Sequence, residues 1–467
     1  MIESFPVRAI RETEAAALAG TPEFALMRLA AARVAHEVAV RVRVRNGVSV
    51  TLLVGTGNNG GDALFAGALL RRRGMAVTAV LAAPGRAHSA GLAALVRAGG
   101  RVVDTVPAGR PDVIIDGLVG IGARPPLRPE LAALVDWADG EHALKVAVDV
   151  PSGVDPDAGM ASPPAFRADV TVTFGGYKQS LLLADDWAGE VVLAGLGLTP
   201  PAAEATVRAL TDADVANLVP APGRESDKFS GGVVGIVAGS ARYPGAAVLS
   251  AGAAVRLRPG LVRYAGPAAA QVLARWPEVV ACAEPEEAGR VQAWAVGPGM
   301  GTDAAARRRL AFVMDRPEPV VVDADALTLL AAEPGLLATR APGTTVLTPH
   351  AGEFARLFPD LDPADRLASV RAAAARTGQV VLLKGHRTLV AAPDGQVLVN
   401  LSGSAWLATA GSGDVLSGLI GSILAAGVPP HSAAAAGAQL HGRAGEGAEH
   451  DRAAGASALW DRLHSRH

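Results

Sequence analysis

Only one cysteine, Cys282, occurs among the 467 residues. That excludes an internal disulfide and fits a reducing compartment, so a cytoplasmic location is expected. Aromatic residues are scarce at 4%, against 50% hydrophobic residues overall, so the core must be built from Ala, Val and Leu. Neither sign of charge is in excess: 43 Lys and Arg stand against 45 Asp and Glu, a net −2. No long basic block is present. Arg71-Arg72-Arg73 and Arg307-Arg308-Arg309 are the best candidates for nucleic-acid contacts. Both end or punctuate expected helices, where a solvated basic turn suffices, and nucleic acid is not an expected partner. The first segment, MIESFPVRAIRETEAAALAG, carries acids and lacks a signal-peptide apolar core. The longest apolar run near the end, VLSGLIGSILAAGV, is too short to span a bilayer and reads as a buried helix. No repeat with a period of about 20–50 residues is found, which speaks against a solenoid.

What is present is glycine (54) and proline (32), in the manner of an α/β protein with many tight turns. The length suits two or three domains. In the first half, apolar runs recur at 48–54, 75–83, 111–116, 144–150 and 168–174, with helical patterns between them at 62–73 and 89–100. Continuous apolar strands separated by helices imply a parallel sheet covered on both faces. A long helix is expected over 21–40, with Thr21 as its N-cap and Pro22 at its first position. Residues 196–230 are rich in proline and acids, and the domain junction is placed near residue 210. The strand pattern restarts at 233–239 and recurs at 261–266, 293–299, 320–325, 345–350 and 380–385, closing with helices from residue 414 onward.

Polar or glycine-rich clusters follow these strands with great regularity. They are GTGNNGGD (55–62), DGLVGIGARPP (116–126) and DVPSG (149–153) in the first half. In the second they are GSARYPG (239–245), GPGMG (297–301), DADAL (323–327), TPHAGE (348–353) and KGHRT (384–388). Parallel α/β sheets bind ligands at the carboxyl ends of their strands, so each half reads as one pocket built from several loops. Turn chemistry accounts for any single cluster but accounts for their coincidence less well.

The segment Gly411-Ser412-Gly413-Asp414 opens the helical run VLSGLIGSIL. Glycines there admit a phosphate to the free N–H groups of a helix start. A carboxylate beside that anion suits a general base that takes the proton of an attacking hydroxyl; a capping role is the alternative. Lys384-Gly385-His386-Arg387-Thr388 offers a phosphate clamp, and His350, fixed behind Pro349, could meet a ligand. The GTGNNGGD cluster lacks the GxGxxG spacing of a dinucleotide fingerprint, yet its glycines leave N–H groups for an anion. Asp149, at the end of a strand, fits either an acid/base role or a hydrogen-bonded turn with Pro151 and Gly153. Asp116, Asn59 and Ser152 could jointly offer hard oxygens to a cation.

GNNGGD with DVPSG resembles the epimerase domain of the bifunctional NAD(P)H-hydrate repair enzymes. TPHAGE, KGHRT and GSGDVLSG resemble their ribokinase-like dehydratase domain, in the family's fused order and over essentially the whole chain. The resemblance implies a Rossmann-like three-layer parallel-sheet epimerase domain over 1–210 and a ribokinase-like ADP-dependent dehydratase domain over 211–467. It implies that Asn58, Asn59, Gly60, Gly61 and Asp62 hold the hydrated nucleotide, with a second loop from Gly120, Ile121, Gly122, Ala123, Arg124, Pro125 and Pro126. Asp149 would contact and help epimerise the substrate. Asn59, Asp116 and Ser152 fall at potassium positions. In the second half, Ala246, Gly301, His350 and Asp414 match hydrate-binding positions, with Asp414 the base. Lys384, Gly385, His386, Arg387, Thr388 and Gly413 match adenine-nucleotide contacts. K⁺, Mg²⁺ and ADP as co-substrate follow, with NADHX and NADPHX as ligands and a homo-oligomer as the expected assembly. The chain departs from the family pattern at Ala63 and Ala410, where glycine is common, and at Ser226-Asp227-Lys228-Phe229 in place of SHKG. Two rivals stand beside this: a ribokinase-like small-molecule kinase with a fused binding domain, and a non-catalytic ligand-binding or protein-binding first half.

Overall fold

The computed structural model describes residues 1–42, 47–122, 124–219, 231–257 and 260–463. Ala123 and the Ser226-Asp227-Lys228-Phe229 segment lie outside them. The chain forms two compact units, one of Glu3–Val207 and one of Met1–Ile2 with Arg208–His467.

The unit Glu3–Val207 is organised around a seven-stranded, wholly parallel sheet. Its spatial order is Arg101–Val103, Ala76–Leu81, Ser49–Val54, Val113–Gly117, Leu144–Val148, Val170–Phe174 and Glu190–Ala194. The chain runs outward from Ser49–Val54 in one direction and then returns to the other side at Val113–Gly117. That reversal opens a crevice between the carboxyl ends of these two strands. The five apolar runs expected in this half are all strands. Their side chains are buried on both faces, as the lack of alternation implied.

Two details differ from expectation. The helix after the first strand begins at Asn58, so Gly60, Gly61 and Asp62 belong to its first turn. The glycines are steric: a Cβ on Gly60 would stand 2.3 Å from the Gly55 carbonyl oxygen, and one on Gly55 would stand 1.8 Å from that of Leu118. The helix expected from Thr21 begins at Ala25, because Thr21 instead donates its hydroxyl to Ala17 O at 2.5 Å, behind the preceding helix Val7–Leu18. Phe24, at φ 61°, makes the turn between the two helices.

In the unit ending at His467, seven parallel strands run in the order Val280–Cys282, Leu261–Ala265, Val233–Val237, Ala293–Val296, Val320–Val322, Thr345–Leu347 and Val380–Leu383. An antiparallel pair, Thr388–Ala391 and Val397–Asn400, continues the sheet. The apolar pattern does not disclose this pair, and residues 384–388 read from it only as a loop. Here too the order reverses, between Val233–Val237 and Ala293–Val296. The helix Ser412–Ala425 is almost wholly buried and packs on Pro244–Leu257. The contact is close because residue 418 has no side chain: a Cβ there would fall 2.0 Å from Ser250 O.

Among the described residues, no helix is long and apolar enough to cross a membrane. Four arginines of the basic triplets are committed locally. Arg307 pairs with Glu333, Arg309 with Glu284 at 2.7 Å, and Arg71 and Arg73 donate to backbone carbonyls. The Cys282 thiol lies against the carbonyls of Tyr264 and Glu284, and burial raises its pKa, which suits a structural role.

Candidate functional site

A cavity of about 810 Å³ opens at the strand reversal of the unit Glu3–Val207. Asn58, Asn59, Asp62, Gly120, Ile121, Gly122 and Asp149 line it, all singled out from the sequence. Gly60 and Gly61 are not part of its lining; Gly61 backs onto Met27 and His88. Arg124, Pro125 and Pro126 also lie outside the lining.

Asp149 follows Leu144–Val148 in a left-handed conformation, φ 70°. Such a backbone costs an aspartate about 1–3 kcal/mol and is kept only where its surroundings enforce it. Its backbone N–H donates to Val172 O at 2.7 Å, and its Oδ1 accepts from Thr173 Oγ1 at 3.2 Å and from Lys178 Nζ. Lys178 is fully buried, and its other donors go to Thr173 Oγ1 at 3.0 Å and Phe174 O at 2.8 Å. All three ammonium protons are thus placed. The carboxylate therefore answers to a buried cation and not to the Pro151–Gly153 turn. Lys178 was missed from the sequence, although FGGYKQ follows the strand Val170–Phe174 and the strand-end rule would have reached it. Burial foremost, then the charges of Asp149 and Glu14, raise the Asp62 pKa well above the usual carboxylate range.

Beside this pocket, Asp116 is completely buried. Its Oδ1 accepts from Leu118 N at 3.1 Å and Ser152 Oγ at 2.7 Å, and its Oδ2 accepts from Ser152 N at 2.8 Å. Burial pushes its pKa up to about 6 against these bonds, and among the described residues no cationic side chain offsets it. Asn59 Nδ2 donates to Val119 O at 3.0 Å, and Ser152 Oγ lies 3.2 Å from Val119 N. Asn59, Asp116 and Ser152 thus gather around one point with the Val119 backbone. An uncompensated carboxylate with hydroxyl, amide and carbonyl oxygens is a donor set that fits a hard monovalent cation.

In the other unit, Asp414 lies in the first turn of Ser412–Ala425, behind Gly411 at φ 88°. Ala410 needs no left-handed backbone, because Gly411 takes that conformation. Burial first, then Asp323, pushes the Asp414 pKa up to about 6; Lys384 opposes them and Asp325 adds to them. Lys384 Nζ sits 2.8 Å from Asp323 Oδ1 and 3.9 Å from Glu353 Oε2. Burial works against its charge, but Asp323, Glu353 and Asp414 together hold its pKa above the ordinary value. Ser417 Oγ donates to Asp323 Oδ2 at 2.5 Å. Gly413 leaves the space before Lys384 open, since a Cβ there would stand 3.6 Å from Nζ.

Of the remaining positions, Gly301 and His350 are tied to this centre through Asp325 and Glu353. Gly301, φ 81°, donates its N–H to Asp325 Oδ2 at 2.8 Å, and Ala246 stands where a Cβ on Gly299 would come within 2.7 Å. His350 caps the short helix Ala351–Leu357, its Nδ1 accepting from Gly352 N at 3.0 Å while Glu353 bonds back to its N–H. Arg366, also missed, donates to Leu383 O and Lys384 O and so holds the loop through Gly385. Arg387 Nη1 donates to Leu401 O at 2.5 Å, and Thr388 Oγ1 to Gly385 O at 3.4 Å. His386 precedes Arg387 in the same turn. Asp323 was noticed in DADAL but given no role. Buried His441 meets Ser412 O at 2.9 Å, and burial lowers its pKa to about 4, so it is neutral.

Two family models match the chain: the NAD(P)H-hydrate dehydratase family over residues 234–464, and the YjeF-related protein N-terminus over residues 23–180. The bifunctional NAD(P)H-hydrate repair enzyme Nnr of Mycobacterium leprae is 50% identical over 92% of this chain and 90% of its own length. The chain belongs to this repair-enzyme family. The Mycobacterium tuberculosis enzyme is likewise 50% identical, over 92% of this chain and 91% of its own. Among solved structures, a ribokinase-like superfamily protein from Enterococcus faecalis matches 55% of this chain and 94% of its own, at 26% identity and TM-score 0.51. The repair enzyme's second half thus has the ribokinase-like architecture, and a kinase with an accessory domain is the weaker account of the whole.

Proposed function

We propose that the protein repairs hydrated nicotinamide nucleotides in two steps. The unit Glu3–Val207 interconverts R- and S-NAD(P)HX, and the unit ending at His467 dehydrates the S epimer to NAD(P)H with ADP. The observation that carries the second step is the placement of Asp414: a carboxylate at a helix start, facing Lys384, with no hydrogen bond to its side chain among the described residues.

The chemistry follows from these groups. With its pKa near 6, Asp414 is ionised at neutral pH yet still basic enough to take a proton from the hydrate's hydroxyl. That oxygen attacks the terminal phosphoryl group of ADP, and the N–H groups of the helix start stabilise the charge on the transferring group. Lys384, with Gly385, His386, Arg387, Thr388 and Gly413, is the proposed nucleotide clamp; Ala246, Gly301 and His350 are proposed to border the hydrate. The ring nitrogen then expels the phosphate, and loss of a proton from the neighbouring carbon restores the ring double bond. The surplus of Asp323, Asp325 and Asp414 over Lys384 suits a divalent cation such as Mg²⁺, which would supply charge neutralisation on the phosphates. In the first unit Asp149 is proposed as acid/base, in contact with a nucleotide held by Asn58, Asn59, Asp62 and the 120–126 loop. Asn59, Asp116 and Ser152 would hold K⁺. A cytoplasmic homo-oligomer is part of the same proposal.

The decisive experiment supplies S-NADHX with ADP and Mg²⁺, then with ATP, to wild type and Asp414→Asn. Recovery of dihydronicotinamide absorbance with release of phosphate, lost in the variant, is expected. A stable phosphate ester without NADH would turn the assignment toward the kinase.

A further inference from the structure

The helix Val7–Leu18 precedes residues 23–180, the stretch matched by the family model. It nevertheless forms one wall of the cavity, where Glu14 joins Asp62 and Asp149. Asp62 is only 9% exposed, and neither its carboxyl nor that of Glu14 has a hydrogen-bond partner among the described residues. Lys178, fully buried beside them, already spends its donors on Asp149, Thr173 and Phe174. Arg11 lines the pocket from the same helix as Glu14 and reaches Ile121 O at 3.4 Å; Glu23 is a further acid in the lining.

Carboxyl groups crowded into one cavity disfavour one another's ionisation, and the buried lysine beside them is committed to Asp149. Asp149 is paired with buried Lys178. Glu14 is only half-buried, so it can exchange its proton with water. Burial first, then Asp149, raises its pKa, opposed by Lys178 and Arg11.

An epimerase must act on both faces of one carbon, and a proton-bearing group on each face serves that task. We propose that Glu14 is a catalytic acid/base residue of this pocket, working opposite Asp149; this rests on the epimerase reading of the first unit. In one direction the Glu14 carboxyl gives its proton to the hydroxyl on the hydrated ring carbon. The C–O bond breaks, water leaves, and the ring nitrogen's lone pair closes a C=N⁺ bond. Water adds to the other face of that carbon and passes its proton to Asp149. The proton has moved from one carboxyl to the other, and the reverse reaction runs with the roles exchanged.

The test follows R-to-S conversion of NADHX by chromatography, without nucleotide, on the full chain carrying Glu14→Gln or Glu14→Asp. Dehydration of S-NADHX with ADP by the same preparations reports folding. For Glu14→Gln we expect kcat to fall at least about 100-fold with KM little changed, a loss typical of general acid–base residues. The alkaline fall of the pH profile, where Glu14 ionises, should vanish in Glu14→Gln and persist, displaced, in Glu14→Asp. Wild-type kcat and an unmoved alkaline limb in Glu14→Gln overturn the proposal, as does a change confined to KM. If Glu14→Gln loses both activities, Glu14→Asp decides alone: a displaced limb supports the proposal and an unmoved limb overturns it. Wild type that dehydrates the S epimer but leaves the R epimer untouched overturns instead the epimerase reading beneath it.

Discussion

At residue scale, two carboxylates of the sites are governed in opposite ways. Asp149 has a lysine of its own. Replacing Lys178 by Met leaves that anion uncompensated in a cavity wall, and breaking such a buried pair costs about 3–5 kcal/mol. The Lys178→Met chain is therefore expected to melt at a clearly lower temperature and to lose R-to-S conversion; calorimetry and chromatography check both. Asp414 shares its lysine with two other acids, and its pKa is raised to about 6. As the base it must be ionised, so kcat/KM for dehydration should climb as pH rises through about 6 and level off above it. Stability runs the other way. A carboxyl whose folded pKa is raised stabilises fully below its unfolded pKa, and that contribution is lost as pH rises through the folded value. Asp414→Asn should accordingly melt higher than wild type above pH 6 and no higher well below it, by calorimetry across a pH series. Equal melting temperatures throughout would mean that Asp414 is not strained by ionisation.

At element scale, the sequence disclosed most of what places the sites. Every apolar run singled out as a strand is one, because strands buried on both faces must be continuously apolar and their short length sets them apart from buried helices. Lys178 and the Thr388–Ala391 hairpin were less legible. The lysine's partner stands 29 residues away along the chain, and the hairpin's pairing is a matter of register, neither of which periodicity reports. The N-terminus of Ala25–Arg41 was misplaced because Thr21 had a competing acceptor behind it. Glycines can be read as anion cradles or as packing devices, and only distances separate the two. Gly418 is a packing device. Gly418→Ala would drive a methyl into the Ser250 carbonyl, and overpacking of this kind costs typically about 1–3 kcal/mol. Chemical denaturation should show that loss. Dehydratase activity should fall with it, because Ser250 Oγ donates to Asp414 O at 2.9 Å.

At the scale of the whole molecule, the two proposed activities reside in separate compact units, so a lesion in one catalytic centre is expected to spare the other's chemistry. Potassium provides a check without mutation. An ion that binds the folded state alone stabilises it by about 2.7 kcal/mol at a hundredfold excess over its dissociation constant. Replacing a bulky organic cation by K⁺ at equal ionic strength should raise the first unfolding transition of wild type. In Asp116→Asn the two salts should give the same transition; an unchanged K⁺ response there would move the ion elsewhere.

The helix Asn58–Arg72 and the strand Val113–Gly117 meet where Ala63 faces Gly117, and a Cβ on Gly117 would lie 2.5 Å from that of Ala63. A glycine at position 63 would leave this gap empty. One methyl group fits between these two backbones, and supplied from the Gly117 side it would still press on Asn59 O at 3.0 Å. The two positions are thus bound by a rule of exchange: Gly117→Ala should be severely destabilising alone and partly rescued by Ala63→Gly. In a double-mutant cycle the combined loss would be smaller than the sum of the separate ones.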